Sequence, residues 1–132
     1  MKYLLDSNAV SVWAKRSSPP FLTRLLQVSP TDLCISSIVE MELLFGIELK
    51  PQFSYFHELQ TLLKQLPVVA FESTDALQAA KLRAALQRTG KPIGPYDGLI
   101  AATALARKLT VVTHNTSEFS RVMGLSVEDW QT

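Results

Sequence analysis

Three carboxylates and one amide stand where this sequence could do chemistry. Asp6 ends the apolar run Tyr3-Leu4-Leu5 and is followed by Ser7 and Asn8. Glu42 lies in a helical segment where, at 100° per residue, its neighbours are Ile38, Val39, Phe45, Gly46 and Leu49. A charge in that arc is expected to face the body of the protein, with Gly46 leaving room for a ligand beside it. Asp97 follows Pro95-Tyr96 at a helix start, and Asn115 lies in Thr113-His114-Asn115-Thr116-Ser117-Glu118-Phe119, behind another apolar run. Each has a bland explanation when taken alone. Asp6 suits a helix N-cap, Asp97 suits the positive end of a helix dipole, and Asn115 suits a turn or a neutral oxygen ligand. Glu118 can cap the turn after it, and His114 can be an ordinary loop histidine. Brought together, the acids need a reason. Two like charges about 4 Å apart repel by about 4 kcal/mol at an effective dielectric near 20. Either one carboxyl keeps a proton or a cation sits among them. All-oxygen ligands favour Mg²⁺ or Mn²⁺ over zinc, and such an ion polarises a phosphate and activates water at neutral pH. The chemistry implied is phosphodiester hydrolysis.

The elements that must position these residues follow from the apolar pattern. Lys2–Asp6, Asp32–Ser36, Pro67–Phe71 and Thr110–Thr113 are apolar on consecutive positions, as strands covered on both faces are. Between them the spacing predicts helices over Asn8–Arg16, Pro20–Val28, Ser37–Leu49, Phe53–Leu66, Thr74–Thr89 and Tyr96–Lys108. Ser37-Ile38-Val39-Glu40 has the form of a capping box. Gly98, Ala101, Ala102, Ala104 and Ala106 make the last of these helices slim enough to pack close to a sheet. Strands alternating with helices imply right-handed crossovers and a central parallel sheet between helical layers, an α/β fold. The site of such a sheet lies beyond the carboxyl ends of its strands, which is where Asp6 and Asn115 fall.

Composition narrows the classes. A chain of 132 residues with 47% hydrophobic and 19% charged residues is one domain, spanning 1–132, with a core large enough to need no staple. The single cysteine, Cys34, excludes an internal disulfide and a Cys-rich zinc site. Thirteen Lys and Arg against twelve Asp and Glu exclude a strongly basic coat for nucleic acid, while leaving room for a local basic patch. Lys15, Arg16, Arg83, Arg88, Lys91, Arg107, Lys108 and Arg121 are the cations available for phosphates, and most are expected only to solvate helix faces. No segment has the length of a signal-peptide core or a membrane span, so the expectation is a soluble cytoplasmic protein.

The motifs also resemble a known family. Leu4-Leu5-Asp6-Ser7-Asn8, Ile35-Ser36-Ser37-Ile38 with Glu42-Leu43 and Gly46, and Gly90-Lys91-Pro92-Ile93-Gly94-Pro95-Tyr96-Asp97 with Ile100-Ala101-Ala102 are similar to those of PIN-domain ribonucleases. So are Val112-Thr113-His114-Asn115 with Glu118-Phe119, then Arg121-Val122, Gly124-Leu125 and Glu128-Asp129-Trp130. In this order they resemble VapC-type toxins of bacterial toxin–antitoxin modules, over essentially the whole chain. The resemblance implies a three-layer α/β/α PIN-like domain, metal-dependent endoribonuclease activity and Mg²⁺ or Mn²⁺ as cofactor. It also implies a VapB-type antitoxin as partner, with a homodimer as the expected toxin assembly. By motif position Asp6, Glu42 and Asp97 carry over as the acidic metal-binding residues, with Asn115 as a fourth member of the catalytic set. The Pro-Ile-Gly-Pro-Tyr-Asp turn and the Glu-Asp-Trp ending look like the subgroup that cuts initiator tRNA in its anticodon loop. Ser7 stands where the family usually has Thr, Gly98 replaces a commonly larger residue, and Asn115 stands where many relatives carry a fourth Asp.

Other functions fit less well. A phosphoacceptor receiver domain needs an Asp at the end of its middle strand and a Lys after a late one; Leu33-Cys34-Ile35-Ser36 and Val112-Thr113-His114 offer neither. His57-Glu58 lacks the second histidine of a zinc hydrolase, and no Gly-x-Ser-x-Gly elbow is present. The alternative that remains is a non-catalytic RNA- or protein-binding module on the same fold, against which the intact Asp6, Glu42 and Asp97 speak.

Overall fold

The computed structural model describes residues 1–51 and 53–132. Five short parallel strands, β1 (Tyr3–Leu5), β2 (Leu33–Ser36), β3 (Val68–Val69), β4 (Thr110–Val112) and β5 (Ser126–Glu128), form one sheet in the order β3-β2-β1-β4-β5. Around it lie α1 (Ser7–Lys15), α2 (Pro19–Leu25), α3 (Ser37–Leu49), α4 (Phe56–Gln65), α5 (Ser73–Arg88), α6 (Pro95–Arg107) and the short α7 (Thr116–Phe119). The helices pack mainly in two groups, α1 with α2, α3 and α4, and α5 with α6, with α3 also touching α6. Right-handed crossovers run outward from β1 to β3 and return from β3 to β5, which puts those groups on opposite faces. The expected three-layer α/β/α architecture is the one observed.

Strand order reverses between β1 and β4. Loops leaving those neighbouring strands go to opposite faces and open a crevice there, the usual ligand site of a parallel sheet. Tyr3↔Thr110, Leu4↔Val111 and Leu5↔Val112 pair across the junction, so Asp6 and Thr113 emerge side by side. The Asp6 amide donates to the Val112 carbonyl at 3.1 Å.

Leu4, Leu5, Cys34, Ile35, Val111 and Val112 are essentially inaccessible, as consecutive apolar positions in a doubly covered sheet must be. Ile100, Ala101, Ala102 and Ala104 are fully buried, so the slim face of α6 does lie against the core. Full burial of each large aliphatic chain contributes roughly 1.5–3 kcal/mol.

Several local expectations need correction. The N-cap of α3 is Ser36, not Ser37: Ser36 Oγ accepts from the Val39 amide at 3.1 Å, while Ser37 Oγ accepts from the Phe71 amide at 3.1 Å and ties α3 to the segment after β3. The capping box instead opens α5, with Glu72 and Asp75 as its members. The inward face of α3 is Val39 and Leu43; Phe45 and Leu49 are 59% and 66% exposed. Glu42 therefore sits at the edge of the buried stripe. Helix α4 begins at Phe56, three residues after the expected start. The strand β5 and helix α7 were not expected.

Candidate active site at the carboxyl end of the sheet

Asp6 occupies the N-cap of α1 in extended backbone (φ −78°, ψ 173°), and its Oδ1 accepts from the Ala9 amide at 2.8 Å. The cap places the carboxylate at the β1–β4 crevice, so the structural and chemical explanations of this residue hold together. It is only 6% exposed. Burial pushes its carboxyl up to about 6, and the charges of Asp97 and Asp129 add to the push. The Thr113 hydroxyl and the Ala9 amide act the other way.

Glu42 projects from α3 toward the same place. Burial raises its pKa, with the charges of Asp97 and Asp6 adding to the effect and Ser7 opposing it. Its Oε1 is buried without a hydrogen-bond partner. An orphaned carboxylate oxygen costs stability unless a proton or a cation answers it.

Asp97 sits in the first turn of α6, after Pro95 at the first helical position. Burial raises its pKa, as does the neighbouring charge of Glu118, while the Asn115 amide lowers it. Asn115 Nδ2 lies 3.3 Å from Asp97 Oδ2 and 2.9 Å from Glu118 Oε2. Glu118 Oε1 accepts the Gly94 amide. A Cβ on Gly94 would stand 3.3 Å from that oxygen, so glycine is what lets the carboxylate close on the turn. These contacts hold the Glu118 carboxyl below its ordinary range, the Gly94 amide foremost.

The structure thus brings Asp6, Glu42 and Asp97 within mutual electrostatic reach and ties Asn115 to Asp97 by its amide nitrogen. Glu118, expected only to cap a turn, is the residue that sequence reasoning undervalued. Its signal was the three-residue spacing from Asn115, which puts both side chains on one side of the α7 turn. Gly46 faces open space; a cavity of about 430 Å³ between α1 and α3, lined by Ser7, Asn8, Glu42, Gly46 and Tyr55 among others, adjoins Glu42.

Among the described residues no three His, Cys, Asp or Glu side chains form a closed ligand cluster. The donor set nevertheless fits a hard divalent cation. Three acids are each held above the ordinary carboxylate range, and one of their oxygens is buried without a partner. A positive ion relieves both conditions, and oxygen-only donors suit Mg²⁺ or Mn²⁺.

Comparison with known proteins gives a consistent result. The PIN domain family matches residues 3–125. The chain is 35% identical over 132 residues to the tRNA(fMet)-specific endonuclease VapC of Salmonella typhimurium, covering 98% of each chain. It is 33% identical, with the same coverage, to ribonuclease VapC2 of Haemophilus influenzae. Its fold matches a chain of the DNA-bound VapBC complex of Salmonella typhimurium with a TM-score of 0.85 at 34% identity, covering 98% of each chain. It also matches one of VapBC2 of Rickettsia felis bound to a promoter DNA fragment, with a TM-score of 0.87 at 30% identity, covering 98% of this chain and 99% of that one.

Proposed function

Since the chain belongs to the PIN-domain family, with VapC proteins as its full-length relatives, we propose that it is the toxin of a type II toxin–antitoxin module, a divalent-metal-dependent endoribonuclease that cuts initiator tRNA in the anticodon loop. The observation that carries this reading is the trio Asp6, Glu42 and Asp97 at the β1–β4 switch point, each acid made harder to ionise by burial first and by neighbouring carboxylates second.

Asp6, Glu42 and Asp97 would hold the ion. When bound, it would supply charge neutralisation at the scissile phosphate and a water that ionises near neutral pH. The protein's own part is positioning. Asp6 is fixed by its cap to α1, and Asp97 by the start of α6, which Glu118 pins through Gly94. Asn115 donates to Asp97 and Glu118 and keeps two carboxylates in register. Water adds across one P–O bond, and the products are a 5′-phosphate and a 3′-hydroxyl. No paired histidines stand at the site to carry out the transphosphorylation that yields a cyclic phosphate.

Such a nuclease needs restraint inside the cell that makes it, and the relatives' structures are of VapBC complexes. We assign that role to a VapB-type antitoxin. Leu44, Phe45 and Leu49 are exposed on α3, an apolar surface of the kind a partner covers. A guanidinium from the partner would satisfy the carboxylates in place of a metal. No helix among the described residues is long and apolar enough to cross a membrane, which agrees with work on tRNA in the cytoplasm. Toxin copies are expected to pair as a homodimer, which light scattering reads directly.

Incubation of the purified protein with total tRNA, with and without Mg²⁺, followed by mapping of the new ends, tests the reading. The expected result is one cut in the initiator anticodon loop that needs the metal. Cyclic 2′,3′-phosphate ends, or full activity in EDTA, would overturn it. Binding of RNA without any cut would favour the non-catalytic module.

A further inference from the structure

One polar pairing at the rim of this site lies outside the trio of acids. His114 Nδ1 lies 2.9 Å from Asp129 Oδ2. An ionised carboxylate only accepts, so the proton between them belongs to Nδ1; whenever the ring carries a single proton, Nε2 keeps its lone pair as an acceptor. Asp129 is a firm support. Its Oδ1 accepts the Gln131 amide at 2.9 Å. It is held between Glu128, whose carbonyl accepts the Thr113 amide at 3.0 Å, and Trp130, which is 3% exposed with its ring 5.1 Å from that of Tyr3. The Asp129 side chain is 16% exposed and that of His114 60%. One edge of the imidazole is therefore fixed, and the ring stays open to a ligand.

The position of the pair matters as much as its geometry. His114 lies between Thr113, which favours the charged form of Asp6, and Asn115, whose amide reaches Asp97. Asp129 is close enough to Asp6 for its charge to be felt there. These links place the pair at the rim of the crevice that holds the acids.

An acceptor in that place requires a donor. Phosphate oxygens only accept, and the one donor on the RNA backbone is the ribose 2′-hydroxyl, the group that distinguishes RNA from DNA. We propose that His114, oriented by Asp129, accepts a hydrogen bond from a ribose 2′-hydroxyl next to the cleaved bond and so makes the site selective for ribose. This rests on the ribonuclease reading above. His114 is a specificity residue on this account, and Asp129 is its positioning residue.

The test uses an initiator anticodon stem–loop made in three forms: all-ribose, and with a single 2′-deoxy nucleotide on either side of the cut. Values of kcat/KM are measured for the wild-type protein, His114→Ala and Asp129→Ala, with thermal melting to check that each variant is folded. Comparing discrimination ratios between enzymes cancels the intrinsic effect of the hydroxyl on bond reactivity. The wild type should disfavour one deoxy substrate, and that preference should shrink about three- to tenfold in His114→Ala, the range of one hydrogen bond. Asp129→Ala should shrink it in the same direction. Equal loss on all three substrates, with the preference intact, would indicate a phosphate or base contact and overturn the proposal. A wild type indifferent to both deoxy positions would overturn it as well. Failure of the wild type to cut the all-ribose arm with Mg²⁺ present would bring down the ribonuclease reading itself, and this inference with it.

Discussion

The side-chain amide nitrogen of Asn115 lies 3.3 Å from Asp97 Oδ2, so the residue meets the site as a donor. Its second contact, 2.9 Å to Glu118 Oε2, also ends on a carboxylate. Two acceptors facing one amide fix its orientation, with nitrogen toward the acids and oxygen away. Asn115 thus relieves the repulsion between Asp97 and Glu118. As a metal ligand it would first have to turn over.

Asn115→Asp exchanges that donor for another negative charge. With the metal absent, the variant should melt at a lower temperature than the wild type, since Asp97 and Glu118 lose their shared donor and gain a repulsive neighbour. Its affinity for Mn²⁺ should rise, because a cation then meets one more anion. Activity need not follow, since a more acidic pocket also repels the incoming phosphate. Mn²⁺ titration of both forms without RNA is the measurement. Equal affinities would mean that position 115 faces away from the ion and only shapes the turn.

Glu118→Ala should act through Asp97. Its carboxylate ties the Gly94 amide at the start of α6 and shares Asn115. Removing a charge-assisted bond of this kind costs roughly 1.5–3 kcal/mol at a buried site and less where solvent reaches it, as here. The larger effect is expected on kcat, because the turn that carries Asp97 loses its clamp. Glu118→Gln keeps an acceptor for Gly94 and should recover much of the activity. If the two variants are equally slow, the charge of Glu118 matters more than its hold on the turn.

Away from the site, Asp75 is wholly buried and paired with Arg107, whose guanidinium also donates to the Ala70 carbonyl at 3.0 Å. Asp75 Oδ2 meanwhile accepts the Glu72 amide at 2.7 Å in the α5 capping box. This pair is the electrostatic join between α5 and α6. Arg107→Ala leaves a buried carboxylate without its partner, for which about 3–5 kcal/mol of destabilisation is expected. Urea unfolding reads it directly, and a change under 1 kcal/mol would mean water replaces the guanidinium at little cost. Arg107 is therefore withdrawn from the cations available to RNA.

Much of this was legible in the sequence, and the failures have physical causes. Leu4, Leu5, Ile35, Val111 and Val112 announced a doubly covered sheet because burial on both faces removes any need for alternation. Asp6 and Asp97 could be placed because strand ends and helix starts are marked by local chemistry. Strand β5 leaves no apolar signature, because Ser126-Val127-Glu128 is a half-exposed edge strand with one apolar residue, stabilised by its ladder with β4. The inward arc of α3 is not marked in the sequence, because the helix is apolar nearly all round and periodicity does not say which side faces the core. The His114–Asp129 pair depends on β5 and could not be found without it.

In cells, expression without the adjacent antitoxin gene should stop growth, while Asp6→Asn or Asp97→Asn forms should be harmless at equal protein level. Each substitution removes a ligating charge and keeps the side-chain shape. Colony counts after induction, with immunoblots for abundance, give the result. Harmless accumulation of wild-type protein that cuts tRNA in vitro would exclude the toxin role while leaving the nuclease intact.

The pH dependence of folding should report on Asp6. Its carboxyl ordinarily titrates near 3.8, and burial raises it to about 6 in the folded, metal-free protein. The folded state then binds the proton more tightly than the unfolded one. This contribution to stability is fully present below about pH 4 and is lost as the pH rises through 6. The shift corresponds to a few kcal/mol at most, since each unit is worth about 1.4 kcal/mol. Asp6→Asn keeps an oxygen to cap the Ala9 amide and carries no charge at any pH. Without metal it should therefore be more stable than the wild type at pH 7.5, with the advantage fading toward pH 4. Saturating Mg²⁺ should stabilise the wild type at pH 7.5 and leave the variant nearly unchanged, because the ion binds the ionised acid. Melting temperatures at three pH values, with and without Mg²⁺, decide the matter. A wild type whose stability in EDTA rises steadily from pH 4 to 7.5, in parallel with Asp6→Asn, would show that Asp6 is ionised at low pH and carries no burial penalty.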